Sequence, residues 1–296
     1  MRILALEIGA GRLSVGPVGE DVDPDDFRRI PIPAEEVWDE CRDLLLDFAG
    51  GDEVAAVGIA SAGPIDLAAG VIAPNDIPEW RMGFGIVEHV RKMFPAAAVG
   101  LALDGACLAL AERNFGATTQ TADALSVHVS DRIVAGVMVG GLVVVGSTGN
   151  AGHFGHMLVR GFEDPCECGN LGCLEAVAGA AAMVRWARAQ GWQGSSAEEL
   201  LANSEAGDQV AIAALERAGT ALGRAVVSAA ALLDIELAVI GGPAIQAGSV
   251  LWKAVQTAVT SHARLGFLMG LRVVPSELGD VGILAGAGVL AATMSS

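Results

Sequence analysis

The chain has 296 residues, enough for two medium domains or one large one, and its hydrophobic share of 52% excludes a disordered chain. Lys and Arg number 18 against 35 Asp and Glu, a formal charge of −17 with lysine only at Lys92 and Lys253, so no nucleic-acid partner is expected. Five cysteines, an odd number in a long chain, do not fit a disulfide scaffold.

The opening residues Ile3–Leu6 form a short apolar run of β type. Glu7-Ile8-Gly9-Ala10-Gly11 reads as a turn and Arg12–Val18 as a second strand, together a hairpin. Met1–Glu7 is too short an apolar core for a signal peptide, so a cytoplasmic protein with reduced thiols is expected. Glu20–Asp26 reads as an acidic solvated loop. Helical spacing over Glu35–Phe48 puts Val37, Cys41, Leu44, Leu45 and Phe48 on one face. Val54–Ala60 reads as a buried strand, Ile86–Phe94 as a helix, Ala97–Leu103 as a strand and Ala106–Asn114 as a helix.

The longest uncharged stretch, residues 133–159, is broken by glycines from Gly136 to Gly155 and ends at His153 and His156. A membrane-spanning helix needs ~20 predominantly apolar residues. This stretch is too rich in glycine, so it reads as strands and turns, and no membrane partner is expected. Ala124–Val129, Ile133–Val139 and Leu142–Val145 are the strands. Helices follow over Cys173–Gln190, from Ser196-Ala197-Glu198-Glu199 with its cap and acidic first turn, and over Asp208–Leu233. Glu236–Ile240 is a strand ending in Gly241-Gly242-Pro243. A helix over Gln246–Thr260, a strand over Leu271–Val274 and a helix over Val281–Met294 close the chain. Hairpin strands followed by helix–strand alternation thus occur twice, which implies layered α/β architecture. The boundary falls near residues 105–122. This gives a small lobe over 1–115, a large lobe over 116–280, and a final helix over 281–296 that returns to the first lobe.

Cys166, Cys168 and Cys173 lie within eight residues, and His156 lies ten residues before the first. Three thiolates and one imidazole complete a closed tetrahedral zinc site of structural type, and Gly169 and Gly172 let the backbone turn sharply enough for the sulfurs to converge. Three unrelated buried thiols are the alternative. Cys41 and Cys107 sit on apolar helix faces and read as inert core residues.

The block Gly152-His153-Phe154-Gly155-His156-Met157, followed by Cys-x-Cys-Gly-x-x-Gly-Cys-Leu-Glu at 166–175, resembles the zinc signature of the ROK family of sugar kinases and sugar-responsive repressors. The resemblance extends over essentially the whole chain: Gly58–Asp66, Ala73-Pro74-Asn75 with Trp80, Asp104, Gly241-Gly242 and Gly279-Asp280 follow in the family's order. It implies an actin-like ATPase fold, also called ribonuclease H-like: two α/β lobes with a cleft between them. It also implies a homodimer. Repressor members carry an N-terminal DNA-binding domain. This sequence opens directly on its first strand, so a member without one is expected.

Phosphoryl transfer to a sugar hydroxyl needs a base, a metal and a phosphate cradle. The resemblance makes Asp104 the base; an ordinary helix N-cap is its other reading. It makes Asn75, His153, His156 and Glu175 sugar ligands, although Asn75 also suits a turn and Glu175 a helix N-terminus. His156 would give one ring nitrogen to zinc and the other to the sugar. His153 stands where the family has Glu, which changes charge and geometry. The first family phosphate motif, Asp-x-Gly-x-Thr-Lys, is here Glu7-Ile8-Gly9-Ala10-Gly11-Arg12. Glu7 would hold Mg²⁺ through water, Gly9 and Gly11 permit backbone approach, and Arg12 keeps a cation. The second motif, Gly-Thr-Gly-x-Gly-Gly-Gly, aligns with Ser130–Gly136 and leaves only Gly136. Asp131 there opposes the γ-phosphate of ATP, at about 4 kcal/mol for one like-charge pair ~4 Å apart at an effective dielectric of 20. Arg132 would offset it, and a solvated turn is the plain reading of the Asp131-Arg132 pair. Gly241 and Gly242 match the loop on the adenosine side. The first reading is therefore a carbohydrate kinase acting on a hexose or hexosamine. The second is a weakened member that binds sugar as a sensor or regulatory pseudokinase.

Overall fold

The structure is a computed structural model describing residues 1–9, 11–18 and 24–295. Ala10 in the predicted first turn and residues 20–23 of the predicted acidic loop lie outside the described residues. The chain divides into two compact units. One comprises Met1–Thr119, Val143–Gly152 and Asp280–Ser296; the other comprises Gln120–Leu142 and His153–Gly279.

The first unit contains β1 (Arg2–Gly9), β2 (Arg12–Pro17), β3 (Arg28–Pro31), α1 (Val37–Ala49), β4 (Val54–Ser61), β5 (Ile65–Asp66), β6 (Val71–Ile72), α2 (Ile86–Met93), β7 (Ala98–Leu103) and α3 (Asp104–Phe115). Its main sheet has the order β3-β2-β1-β4-β7, antiparallel through the hairpin and parallel from β1 onward. Leu4, Leu6 and Ile8 on β1 are fully buried, and so are Val57 and Ile59 on β4, as expected of strands covered on both faces. β3 and the small β5–β6 hairpin carry no strong alternation and escaped the sequence reading. On α1, Val37, Cys41, Leu44 and Leu45 are buried as their spacing predicts, while Phe48 is only partly so.

The second unit contains β8 (Ala124–Val129), β9 (Ile133–Val139), β10 (Leu142–Val143), α4 (Leu174–Ala178), α5 (Ala180–Ala189), α6 (Ala197–Glu205), α7 (Gln209–Leu233), β11 (Leu237–Gly241), α8 (Val250–His262) and β12 (Arg272–Pro275). Its sheet order is β10-β9-β8-β11-β12, again a hairpin followed by parallel strands. Asp208 caps α7, accepting the Val210 and Ala211 amides at 2.9 Å each. Leu125, Val127, Ile133, Leu174, Leu215 and Leu222 belong to one continuous core.

One predicted helix is broken. The 173–190 segment splits at Gly179, which is extended at φ −63° and ψ 151°. The Ala180 amide donates to Ser130 O at 2.9 Å instead of to its own helix, so a tertiary bond to the β8–β9 turn interrupts the ladder.

The last helix, α9 (Gly282–Ser295), packs on α3, β1, β4 and β7 of the first unit. A side-chain carbon at Gly286 would overlap the carbonyl of Cys107 on α3, so the helices touch through backbone there. Residues 143–152 are held to the same unit by Asn150. Its Oδ1 accepts the Ile65 amide at 2.8 Å and its Nδ2 donates to Ile65 O at 2.6 Å. No described helix is long and apolar enough to cross a membrane.

Candidate functional site

In the first unit the C-terminal ends of β1, β4 and β7 lie side by side: Ile8 is paired with Ser61, and Ser61 with Leu103. Ligands of open α/β sheets gather at such strand ends. Asp104 follows Leu103 directly and opens α3. Leu103, not Asp104, is the N-cap, and the Asp104 side chain accepts the adjacent Gly105 amide through Oδ1 at 2.7 Å. Asp104 is buried at 6% exposure.

Glu7 sits two strands over on β1, with β4 between, and is 1% exposed opposite Ser14 on β2. Burial raises its pKa, and Arg12 opposes that shift. Arg12 Nη2 lies 3.5 Å from Glu7 Oε1 and donates to Asp280 O at 3.2 Å. Glu7 Oε2 is buried and takes no hydrogen bond. An orphaned carboxylate oxygen is what a hydrated divalent cation would satisfy, so Glu7 fits the Mg²⁺ role. Gly9 ends β1 opposite Arg12, and Gly11 takes the positive φ of 74° that its turn needs. The Gly11 amide donates to Asp76 Oδ2 at 3.4 Å. Nothing in the sequence pattern pointed to Asp76. Its neighbour Asn75 is exposed, and its carbonyl accepts Arg81 Nε at 2.9 Å.

In the second unit His156, Cys166, Cys168 and Cys173 converge, with their ligand atoms within 4.8 Å of one another. Cys166 Sγ lies 3.7 Å from His156 Nδ1, and Cys168 Sγ lies 3.6 Å from Cys173 Sγ. Tetrahedral Zn²⁺ with Zn–S of about 2.3 Å and Zn–N of about 2.0 Å requires edges of roughly 3.5–3.8 Å, so the donor set and its spacing fit zinc. The four ligands leave no open position, and such an ion would be structural. Burial pushes the Cys173 thiol up to about 12, whereas the Asn170 backbone amide draws Cys168 down. Asn170 Nδ2 also donates to Cys168 Sγ at 3.6 Å. Farther out, the Gly172 amide donates to Asp164 O at 2.8 Å, and the Asp164 carboxylate pairs with Arg217 on α7. Arg217 lies over the Phe162 ring at 5.0 Å. These tethers lie outside any motif.

Cys173 is the N-cap of α4, so the same loop sets Glu175 in the first helical turn. Glu175 Oε2 accepts the Ile133 amide at 2.9 Å, which fixes its rotamer against β9. His153 and His156 flank a short 3₁₀ turn with ring centroids 6.1 Å apart. Partial burial, then the charges of His156 and Arg132, draw the His153 pKa down.

The Ser130–Arg132 turn closes on itself: the Ser130 amide donates to Arg132 O at 2.9 Å, and Ser130 Oγ to the same oxygen at 3.1 Å. Asp131 is exposed and Arg132 partly buried. Gly136 lies inside β9 opposite Ser126, away from the turn. Gly241 ends β11 opposite His128, and Gly242 has φ 124° with Val129 O so close that a side chain there would overlap it. Cys41 and Cys107 are buried core thiols, and burial pushes Cys41 up to about 12.

Two α/β units, each built on a hairpin extended by parallel strands, define the actin-like ATPase fold, and the second adds the His–Cys₃ cluster. The chain belongs to the ROK family, whose model matches residues 3–294. It is 28% identical to a glucokinase of Thermotoga maritima over 98% of this chain and 97% of that enzyme. It is 30% identical to an N-acetylglucosamine repressor of Shigella flexneri over 76% of this chain but only 57% of the repressor. Among solved structures, a ROK hexokinase from Thermus thermophilus superposes with a TM-score of 0.81 at 26% identity, covering 99% of both chains.

Proposed function

We propose that the chain is an ATP-dependent sugar kinase that transfers the γ-phosphate to a hexose or hexosamine hydroxyl. The observation that carries this reading is the buried Asp104 carboxylate at the C-terminal end of β7, in the same sheet as β1 with its Glu7 and separated from it by β4. Oδ1 is oriented by the Gly105 amide, and in this reading the Asp104 carboxylate accepts the hydroxyl proton as the oxygen attacks phosphorus. Similarity to the glucokinase and the hexokinase supports the same chemistry.

Glu175, His156, His153 and Asn75 are the proposed sugar ligands. Glu175 is held by the Ile133 amide, so its carboxylate is fixed before sugar arrives. His156 has Nδ1 3.7 Å from Cys166 Sγ, and in this reading Nε2 is the nitrogen that meets the sugar. Zn²⁺ held by His156, Cys166, Cys168 and Cys173 would rigidify this segment. Glu7, Gly9, Gly11, Arg12, Asp131, Arg132, Gly136, Gly241 and Gly242 are the proposed nucleotide-side residues, and Mg²⁺ would neutralise phosphate charge beside Glu7. A cytoplasmic homodimer is part of the proposal.

A specific observation favours a second reading, a sugar-binding sensor with weak or lost turnover. The Gly11 amide is taken by the Asp76 carboxylate, Arg12 is tied to Glu7 and Asp280, and the Ser130 amide is consumed within its own turn. Donors at the positions that the resemblance assigns to phosphate are thus engaged internally here.

Calorimetric titration with Mg-ATP and then a panel of hexoses and N-acylated hexosamines separates the readings. Kinase activity lost by 10²–10⁴-fold in Asp104→Asn, with sugar affinity kept, is expected. Sugar binding without any nucleotide binding would select the sensor, and an unchanged rate in Asp104→Asn would remove the base assignment.

A further inference from the structure

The second unit carries a cavity of about 620 Å³ that the proposed kinase chemistry does not use. It is lined by the segment Leu158–Gly161, one face of α7, the last residue of α8 and Leu265 and Leu268 beyond it. Its size is that of a small-molecule site. Arg160, Arg224 and His262 contribute to the wall, with Ser228 between them, and no carboxylate lines it. In a chain with nearly twice as many acids as bases, that wall is locally of opposite sign. Leu265 and Leu268 supply an apolar side.

Arg224 is the informative residue. Its Nη1 donates to Arg160 O at 3.0 Å, and its guanidinium lies 5.8 Å from the Phe162 ring centroid. These contacts fix the plane of the group. Its Nε is buried with no hydrogen-bond partner. A guanidinium held in the wall of a cavity that no carboxylate lines is suited to charge-assisted binding of an oxyanion. His262 is also oriented, with Nδ1 against Ala258 O at 2.8 Å.

We propose that this cavity binds a small organic anion, a carboxylate or phosphate monoester on an apolar body, with the oxyanion on Arg224 and the body against Leu265 and Leu268. The site is separate from the residues assigned to phosphoryl transfer, so its test does not depend on activity.

The test is calorimetric titration of the full zinc-loaded chain with octanoate, octyl phosphate and 1-octanol, each below its aggregation concentration. Saturable binding of one octanoate or octyl phosphate per chain is expected, with 1-octanol at least tenfold weaker. Arg224→Gln should weaken the anions tenfold or more and leave 1-octanol unmoved. Ser228→Trp, on an exposed position of α7, should fill the cavity and abolish both, with zinc content and melting temperature unchanged. Absent binding of both anions, equal binding of the alcohol, or full anion affinity in Arg224→Gln would overturn the proposal. So would sedimentation showing that Ser228→Trp splits a dimer, because the cavity would then be covered by a second copy of the chain.

Discussion

Replacing Cys168 with serine tests the metal centre with little disturbance elsewhere. Cys168 is exposed, so the change removes a ligand without opening a core cavity, as Cys173→Ser would. Of residues 166–173 only Gly172 and Cys173 are buried. Inside the loop the Cys166 amide meets Asn170 O and the Gly169 amide meets Cys166 O, each at 2.9 Å. With so little apolar burial, nothing in the loop replaces the cross-link that a metal provides. An ion present at a thousandfold its Kd stabilises the folded state by about 4 kcal/mol. Unfolding entropy is about 2.1 cal/mol/K per residue, or ~0.3 kcal/mol/K for the roughly 150 residues of the second unit. Loss of zinc should therefore lower the melting temperature by about 13 °C if that unit melts alone, and by about 7 °C if the chain melts as one. Elemental analysis should give one zinc per wild-type chain and a stoichiometry well below one in Cys168→Ser. Calorimetry with and without chelator supplies the melting temperatures. A variant that keeps one zinc and the wild-type melting point would refute the four-ligand assignment. So would a chelator that strips zinc without lowering the melting temperature.

Glu7→Gln probes the buried carboxyl. Because burial raises the folded pKa above the ordinary 4.5, this group's contribution is fully present below the unfolded pKa and is lost as pH rises through the folded one. The variant should therefore gain stability relative to wild type as pH rises across that window, by at most about 1.4 kcal/mol per pH unit in urea titrations, and then plateau. A relative stability that falls with pH would instead show that Arg12 holds Glu7 ionised. Asp76→Asn removes the charge on the Gly11 amide and should tighten Mg-ATP binding by about tenfold, or 1.4 kcal/mol, in calorimetry; unchanged affinity would exclude Asp76 as a competitor for phosphate. Gly286→Val places a branched side chain where α9 meets the Cys107 carbonyl, so it should cost at least about 1–3 kcal/mol in denaturant unfolding, and a wild-type midpoint would contradict the close approach.

Much of the architecture is local in origin and was legible as such. The buried runs of β1 and β4, the spacing on α1 and the Ser196 cap of α6 are each set by residues a few positions apart. The His–Cys₃ cluster was legible for the same reason, since three of its four side chains lie in one short loop and the chemistry of three thiols and an imidazole admits few alternatives. The break at Gly179 was not, because the bond that replaces the helical one comes from Ser130, far away in sequence. Asp76 escaped for that reason too: its acceptor role exists only because the Pro74–Ile77 turn folds back on the β1–β2 hairpin, 65 residues away in the chain.

The sequence by itself determined the twofold pattern of hairpin strands followed by helix–strand alternation and the grouping of three thiols and an imidazole as a candidate metal site, because these rest on periodicity and on spacing within single segments; the family entered through motifs that resemble it. Only the tertiary structure decided what the ionisable groups are bound to. Arg12 is divided between Glu7 and Asp280, Glu175 is fixed by Ile133, and Arg224 is left with a buried unpaired donor. Hydrogen bonding and burial depend on atoms that chain folding brings together from distant positions, and no local pattern encodes those neighbours.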